Sequence, residues 1–364
     1  MQQPVLPLAE FKKLLLEETP LIDVRAPVEF NQGHIPGAVN IPILSDEHRH
    51  EIGIVYKRRG EDAAVKLGHE LVSGSYKEAM IAQWQAFMQA NPSAVITCFR
   101  GGQRSQITQQ WLKEAGIVRP RIDGGYKAFR QFILEQLARL SEQPMLIISG
   151  PTGSGKTILI EEVKKFRAAV NLEKISNHRG SAFGQLSTPQ PSQADFENIL
   201  TQQLLQIEAR GSVGGIGHKL VLEDESRMIG RNAQPDKFFD QLRISEIVFL
   251  TESIDSRVNV IFDEYVFNLS TEERNKAFAR YEIAIQKISK KLGGLRFQEL
   301  SKDLTEAIKA SAEQDEHTLH KVWIEKLLVW YYDPLYLGSI DKRDPKIAFR
   351  GTREAAIQYL RDTK

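Results

Sequence analysis

The chain has 364 residues, more than one ordinary domain holds, and its 48 basic and 47 acidic side chains leave a net charge of +1. Apolar residues at 41% and charged residues at 26% are globular averages, which excludes collagen, coiled coil and wholesale disorder. No apolar run reaches the ~18 residues of a membrane helix, the N-terminal stretch shows no cleavable leader, and the single cysteine, Cys98, fits a reducing compartment, so a cytoplasmic, multi-domain protein with no membrane partner is expected.

Residues 21–25 (LIDVR) and 94–97 (AVIT) read as buried strands, with helical patterns at 61–72 and 77–89 between them. Alternating strand and helix signals predict a parallel sheet covered by helices. Residues 137–144 end a helix and contain a proline, so the first domain is expected to span 1–140. A second α/β domain, 141–270, starts at the buried strand 145–149 (MLIIS) and carries further strand signals at 219–222 and 244–250. Beyond Thr251 the pattern is mostly helical, and 271–364 is expected to form a helical C-terminal part.

Cys98 opens the loop Cys98-Phe-Arg-Gly-Gly-Gln-Arg104-Ser105, between the AVIT strand and a helical pattern at 106–115. A helix start after a strand presents free N–H groups to anions. Gly101 and Gly102 let the backbone turn those groups inward. With the positive charge of Arg100 and Arg104, the loop favours a thiolate, the reactive form of cysteine. A small buried hydrophobe is the alternative fate of a lone cysteine, but two glycines and two arginines within six residues favour a reactive thiol beside an anion site.

The strand 21–25 and the segment Gly33-His34-Ile35-Pro36-Gly37-Ala38 resemble signatures of the rhodanese family, and Cys98 falls where that family keeps its persulfide-forming cysteine. The commonest rhodanese loop is Cys-x-x-Gly-x-Arg. Here five residues separate Cys98 from Arg104, which also matches the Cys-x5-Arg-Ser pattern of cysteine phosphatases and keeps a phosphatase fused to an NTPase as an alternative. Asp23, Arg25 and His34 are expected to be structural.

Gly150-Pro-Thr-Gly153-Ser-Gly155-Lys156-Thr157 fits the phosphate-loop pattern in full, with a strand before it and a helical pattern after it. Its backbone is expected to cradle a diphosphate, with Lys156 on the outer oxygens and Thr157 on magnesium. Asp224, at the end of a second buried strand, is the expected carboxylate support for that metal, with a helix cap or turn as its alternative role. Ser270 and Glu273 form a capping box for a long helix ending at Gly293. Lys276, Arg280, Lys287, Lys290 and Lys291 share one face of it, opposite Phe278, Tyr281, Ile285, Ile288 and Leu292. A nucleic-acid contact and an ordinary solvated lysine face are both open for this stripe.

CFRGGQRS, GPTGSGKT, SNHRGSAFG, PQPSQADFEN, LEDESRMIG, YYDPLY and FRG occur in that order along the chain. Together they resemble the bacterial tRNA 2-selenouridine synthase family. The resemblance implies an α/β fold: a rhodanese-like parallel-sheet domain, then a phosphate-loop NTPase-like domain with a helical C-terminal extension. Family members replace sulfur by selenium in a wobble 2-thiouridine of tRNA, with selenophosphate as donor. They also attach a geranyl group from geranyl diphosphate, making S-geranyl-2-thiouridine the intermediate that selenium displaces.

The local chemistry is compatible with this, and we expect the following assignment: Cys98 takes selenium from selenophosphate as a selenopersulfide, with Arg100, Gly101, Gly102 and Arg104 on the phosphate. Gly150, Gly153, Gly155, Lys156 and Thr157 hold the geranyl diphosphate, and the lysine stripe becomes the tRNA contact. Selenophosphate synthetase is a further implied partner. With no second cysteine to resolve a persulfide, the relay is expected to pass directly to tRNA. The non-enzymatic alternative is a nucleotide-switched rhodanese scaffold, in which Cys98→Ala leaves function intact.

Overall fold

The structure, a computed structural model, describes residues 3–211 and 219–363. The chain divides into two compact units, Met1–Leu140 with Ser192–Ala209, and Ser141–Pro191 with Arg210–Lys364. Among the described residues, no helix is long and apolar enough to cross a membrane.

In the first unit, β1 (Val5–Leu6), β2 (Leu21–Asp23), β3 (Ala38–Asn40), β4 (Val95–Thr97) and β5 (Arg121–Ile122) form a parallel sheet in the order β1-β5-β4-β2-β3. The central strands β2 and β4 are buried throughout. That explains why their sequences are apolar runs rather than alternations: helices cover both faces of a parallel sheet. Ile22, Ile96, Trp84, Met88 and Leu112 pack together in this core with no exposed surface. Asp23, Arg25 and His34 hold the unit together. Arg25 donates to the Asp23 carboxylate at 2.6 Å and to the Gly33 carbonyl at 2.7 Å, so both buried charges are compensated. The His34 N–H donates to Asp195 at 2.8 Å, and its ring stacks on Phe30.

Asp195 lies on the helix Gln193–Ala209, whose sequence neighbours are all in the second unit. This corrects the expected boundaries: 192–209 leaves the domain expected over 141–270 and packs with the first unit. The cause is its face of Phe196, Leu200, Leu204 and Leu205, all buried, together with ion pairs to the first unit. Glu208 meets Lys12 at 2.8 Å and Arg139 at 2.6 Å, and Glu197 meets Arg130.

In the second unit, β6 (Met145–Ser149), β7 (Ala169–Val170), β8 (Leu220–Glu223), β11 (Glu246–Leu250) and β12 (Ile347–Gly351) form a parallel sheet in the order β12-β11-β6-β8-β7. Two short antiparallel strands, β9 (Met228–Ile229) and β10 (Asn232–Ala233), form a separate two-stranded sheet. Residues 271–364 are not a separate helical part. β12 completes the sheet against β11, and the helix Arg353–Asp362 buries Ala356 and Leu360 in the sheet's core. The helical region therefore lies between the last two strands of the chain. Its own core joins Phe183, Tyr281, Ile285, Trp323 and Leu328. The helix Thr271–Leu292 turns Phe278, Tyr281, Ile285, Ile288 and Leu292 into that core and leaves Lys276, Lys287, Lys290 and Lys291 exposed, with Arg280 half-buried.

Candidate functional site

Each sheet ends in a loop followed by a helix, and each loop carries backbone N–H groups without partners. In the first unit, β4 leads through Cys98–Gly102 into the helix Gln103–Glu114. The N–H groups of Phe99, Arg100, Gly101 and Gly102 make no hydrogen bond to any described residue, which is what an anion cradle requires. The loop's carbonyls are held from behind: Tyr126 N–H donates to Cys98 O and Lys127 N–H to Phe99 O, both at 2.9 Å. That close approach needs Gly125, which has φ +60°, and where a Cβ would overlap the Cys98 carbonyl oxygen.

Cys98 is 3% exposed, and its Sγ lies 3.2 Å from the Ser105 hydroxyl. It lines an open cavity of about 770 Å³ with walls that include Ile43, Ile52, Val65, Val72 and Trp111. Arg100, Gly102 and Arg104 line the same cavity. Gly101 is buried, with φ +65° and its carbonyl accepting from Arg121 at 2.7 Å. Arg104 is bound to Glu29 at 2.5 Å, and Arg49 reaches the same carboxylate at 3.2 Å. Burial alone would raise the Glu29 carboxyl, but the hydrogen bond and charge of Arg104, with Arg49 behind it, hold it below its usual range. Arg100 is exposed and has no acidic partner among the described residues; its guanidinium lies 5.7 Å from the Phe99 ring centre.

In the second unit, β6 runs through Gly150–Gly155 into the helix Lys156–Val163. The N–H groups of Thr152, Gly153 and Gly155 are uncommitted among the described residues. Gly155 has φ +76°, and a Cβ there would stand 2.5 Å from Arg353 Nη1. Lys156 Nζ donates to the Gly150 carbonyl at 2.9 Å. Thr157 donates to Glu173 at 2.5 Å, so Glu173 is the carboxylate that meets this hydroxyl. Asp224 lines, with Lys156, Thr157 and Glu173, a second cavity of about 310 Å³, but accepts from Ser149 at 2.5 Å and from Arg343 at 2.8 Å. Among the described residues, no cluster of three or more His, Cys, Asp or Glu side chains could hold a metal.

The helical region grips this loop. Arg257 donates to the Thr152 carbonyl at 2.9 Å while paired with Asp333 at 2.5 Å. The Gly150 N–H donates to the Tyr336 hydroxyl, also at 2.5 Å. Sequence reasoning missed Glu29, Glu173, Arg257, Tyr336 and Arg343 as site residues. Tyr336 stood in the quoted YYDPLY motif without a role, and the others carried no local signal.

Behind the loop lies a buried acidic group. Burial drives the Glu223 carboxyl up to about 8, and the charge of Glu173 adds to this. Burial and Glu173 also push Glu225 well up, and burial raises Glu173 itself against the pull of Thr157 and Lys156. A carboxyl raised from 4.5 to about 8 keeps its proton in the native state after the unfolded chain has lost it. Its contribution to stability is therefore complete below about 4.5 and is lost as pH rises towards 8. Glu223→Gln is expected to reduce the fall in urea-unfolding midpoint between pH 5 and pH 8; an identical fall in both proteins contradicts the assignment.

Residues 143–364 match the family model described as the tRNA 2-selenouridine synthase AAA domain, and residues 8–132 match the rhodanese-like domain. A curated relative from Nitrosomonas europaea, named tRNA 2-selenouridine synthase, is 44% identical over 100% of both chains. Relatives of the same name from Bdellovibrio bacteriovorus and Shewanella pealeana are 46% and 43% identical; they align over 96% and 98% of this chain and over 97% and 98% of their own lengths. A rhodanese-like unit with a cysteine loop, a phosphate-loop unit with a helical region, and full-length identity above 40% lead to one conclusion: the chain belongs to the tRNA 2-selenouridine synthase family.

Proposed function

We propose that this chain converts 2-thiouridine in tRNA to 2-selenouridine, using geranyl diphosphate at the phosphate loop and selenophosphate at Cys98. The observation that carries the reading is the pair of uncommitted anion cradles, one beside a thiol and one beside a lysine, in a chain of this family.

The first step needs a leaving diphosphate. The backbone from Thr152 to Gly155 and Lys156 would bind it and stabilise the charge that develops as the geranyl carbon bonds to the thiouridine sulfur. The same cavity, about 310 Å³, carries Val260, Ile261, Leu335 and Ile340 beside the loop, so it suits an anion with a short isoprenoid chain. Thr157 and Glu173 would hold a magnesium ion, which would neutralise charge on the diphosphate; Asp224 lines the same cavity but is paired with Arg343.

The second step needs selenium at the level of selenide. Lodging it on Cys98 as the selenopersulfide expected from the loop's chemistry requires an outside oxidant or phosphite as leaving group. Attack of the Cys98 thiolate on phosphorus requires neither. An S–P bond forms, the P–Se bond breaks, hydrogen selenide leaves, and water then hydrolyses the phosphocysteine to phosphate. The Ser105 hydroxyl, which accepts from the Cys98 thiol and donates to the Gly102 carbonyl at 3.0 Å, would stabilise the thiolate by turning its O–H to Sγ, and the Phe99–Gly102 N–H groups with Arg100 would hold the phosphoryl oxygens. Selenide adds at C2 of the geranylated base and geranyl thiolate departs, with no net redox change.

Geranyl diphosphate is expected to bind the protein in competition with inorganic diphosphate, and Lys156→Ala to weaken it roughly ten- to hundred-fold. Calorimetry showing no binding to folded, Lys156-intact protein contradicts the assignment.

A further inference from the structure

The cavity at Cys98 is too large for its anion alone. At ~30 Å³ per water, its 770 Å³ corresponds to about 25 molecules, and Ile43, Ile52, Val65, Val72 and Trp111 give it an apolar wall that an anion does not need. Its walls include the helices Asp46–Arg59 and Glu61–Leu71, and two aromatic rings stand at the mouth: Tyr56 is 56% and Phe99 37% exposed. Lys57 and Arg100 share the lining, and the exposed Arg58 and Arg59 continue from Lys57 at the end of the same helix. None of these four cations has an acidic partner among the described residues, whereas Arg49 and Arg104 are both paired with Glu29. Exposed rings beside unpaired cations, around a cavity with a thiol in its wall, suit single-stranded RNA, whose bases stack on aromatic faces while its phosphates meet Lys and Arg.

We propose that the mouth of the Cys98 cavity is the docking site of the substrate RNA loop. Tyr56 and Phe99 stack on bases flanking the one turned into the cavity, and Lys57, Arg58 and Arg59 hold the backbone. This rests on the tRNA reading above and gives it a place. The stripe on Thr271–Leu292 has a weaker claim: Lys276 is paired with Glu272 at 2.6 Å, and the helix's aromatic residues Phe278 and Tyr281 are buried.

The test is fluorescence anisotropy with a labelled RNA stem-loop carrying 2-thiouridine at the first anticodon position. Tyr56→Ala is expected to weaken binding about ten-fold. The triple variant Lys57→Ala, Arg58→Ala, Arg59→Ala is expected to weaken it ten-fold or more and to lower the log–log salt slope by about 2, at ~0.7 per lost phosphate contact. The triple variant Lys287→Ala, Lys290→Ala, Lys291→Ala is expected to change affinity less than two-fold. Rim variants that melt like wild type and bind the RNA equally well overturn the docking site while leaving the tRNA reading in place. Loss of binding in the stripe variant alone does the same. A wild-type protein that binds no RNA overturns both.

Discussion

Replacing Cys98 by alanine is expected to lower selenation of thiolated tRNA by on the order of 10³-fold or more, while geranylation of the same tRNA continues. The asymmetry follows from the architecture. Cys98 is the only cysteine of the chain, so no second thiol can take over its step. The diphosphate cradle lies in a different unit, on a different sheet. Alanine at position 98 removes the sulfur and its contact with Ser105, but the Gly125-dependent clamp on the loop uses the Cys98 carbonyl and survives. S-geranylated tRNA should therefore accumulate. Rapid quench of the wild type with selenophosphate should leave a phosphoryl group on the Cys98 peptide; selenium found there instead would overturn attack at phosphorus.

Lys156→Ala is expected to have the complementary effect, a loss of geranylation of roughly 10²- to 10³-fold, the cost of one preorganised donor on developing charge. Lys156 is the side chain of the phosphate loop that can follow charge onto the diphosphate's outer oxygens; its Nζ donates to the Gly150 carbonyl and lies 5.9 Å from the Tyr336 ring centre. Conversion of thiouridine should fail in this variant because no geranylated intermediate forms. The same variant given S-geranylated tRNA and selenophosphate should form selenouridine at the wild-type rate. A variant that fails on both substrates while retaining its fold would contradict the division of labour between the two units.

Much of the framework was legible because it is written locally. A buried parallel strand is an apolar run, and the runs at 21–25, 94–97 and 145–149 contain β2, β4 and β6. Phosphate loops need glycine at fixed spacing, so GPTGSGKT carries its own geometry. The remaining features depend on partners distant in sequence. The amphipathic pattern of Gln193–Ala209 predicts a helix but not which unit it packs against. β12 is a half-exposed edge strand, and IAFRG offers no unbroken apolar run. Arg104 read as a free anion-binding side chain because Glu29 is 75 residues away, and Arg343 reaches Asp224 across 119 residues. The lysine stripe was visible as a helical period, whereas the rim of the Cys98 cavity joins Tyr56 to Phe99 through the fold and has no linear signature.

The most direct measurement of the central claim is mass spectrometry of nucleosides from thiolated tRNA incubated with the protein, geranyl diphosphate and selenophosphate. Wild type, Cys98→Ala and Lys156→Ala would be run side by side. The account predicts 2-selenouridine from the wild type, S-geranyl-2-thiouridine alone from Cys98→Ala, and unmodified 2-thiouridine from Lys156→Ala. Selenouridine formed at the wild-type level by Cys98→Ala, or no modified nucleoside from the wild type under any condition, would contradict it.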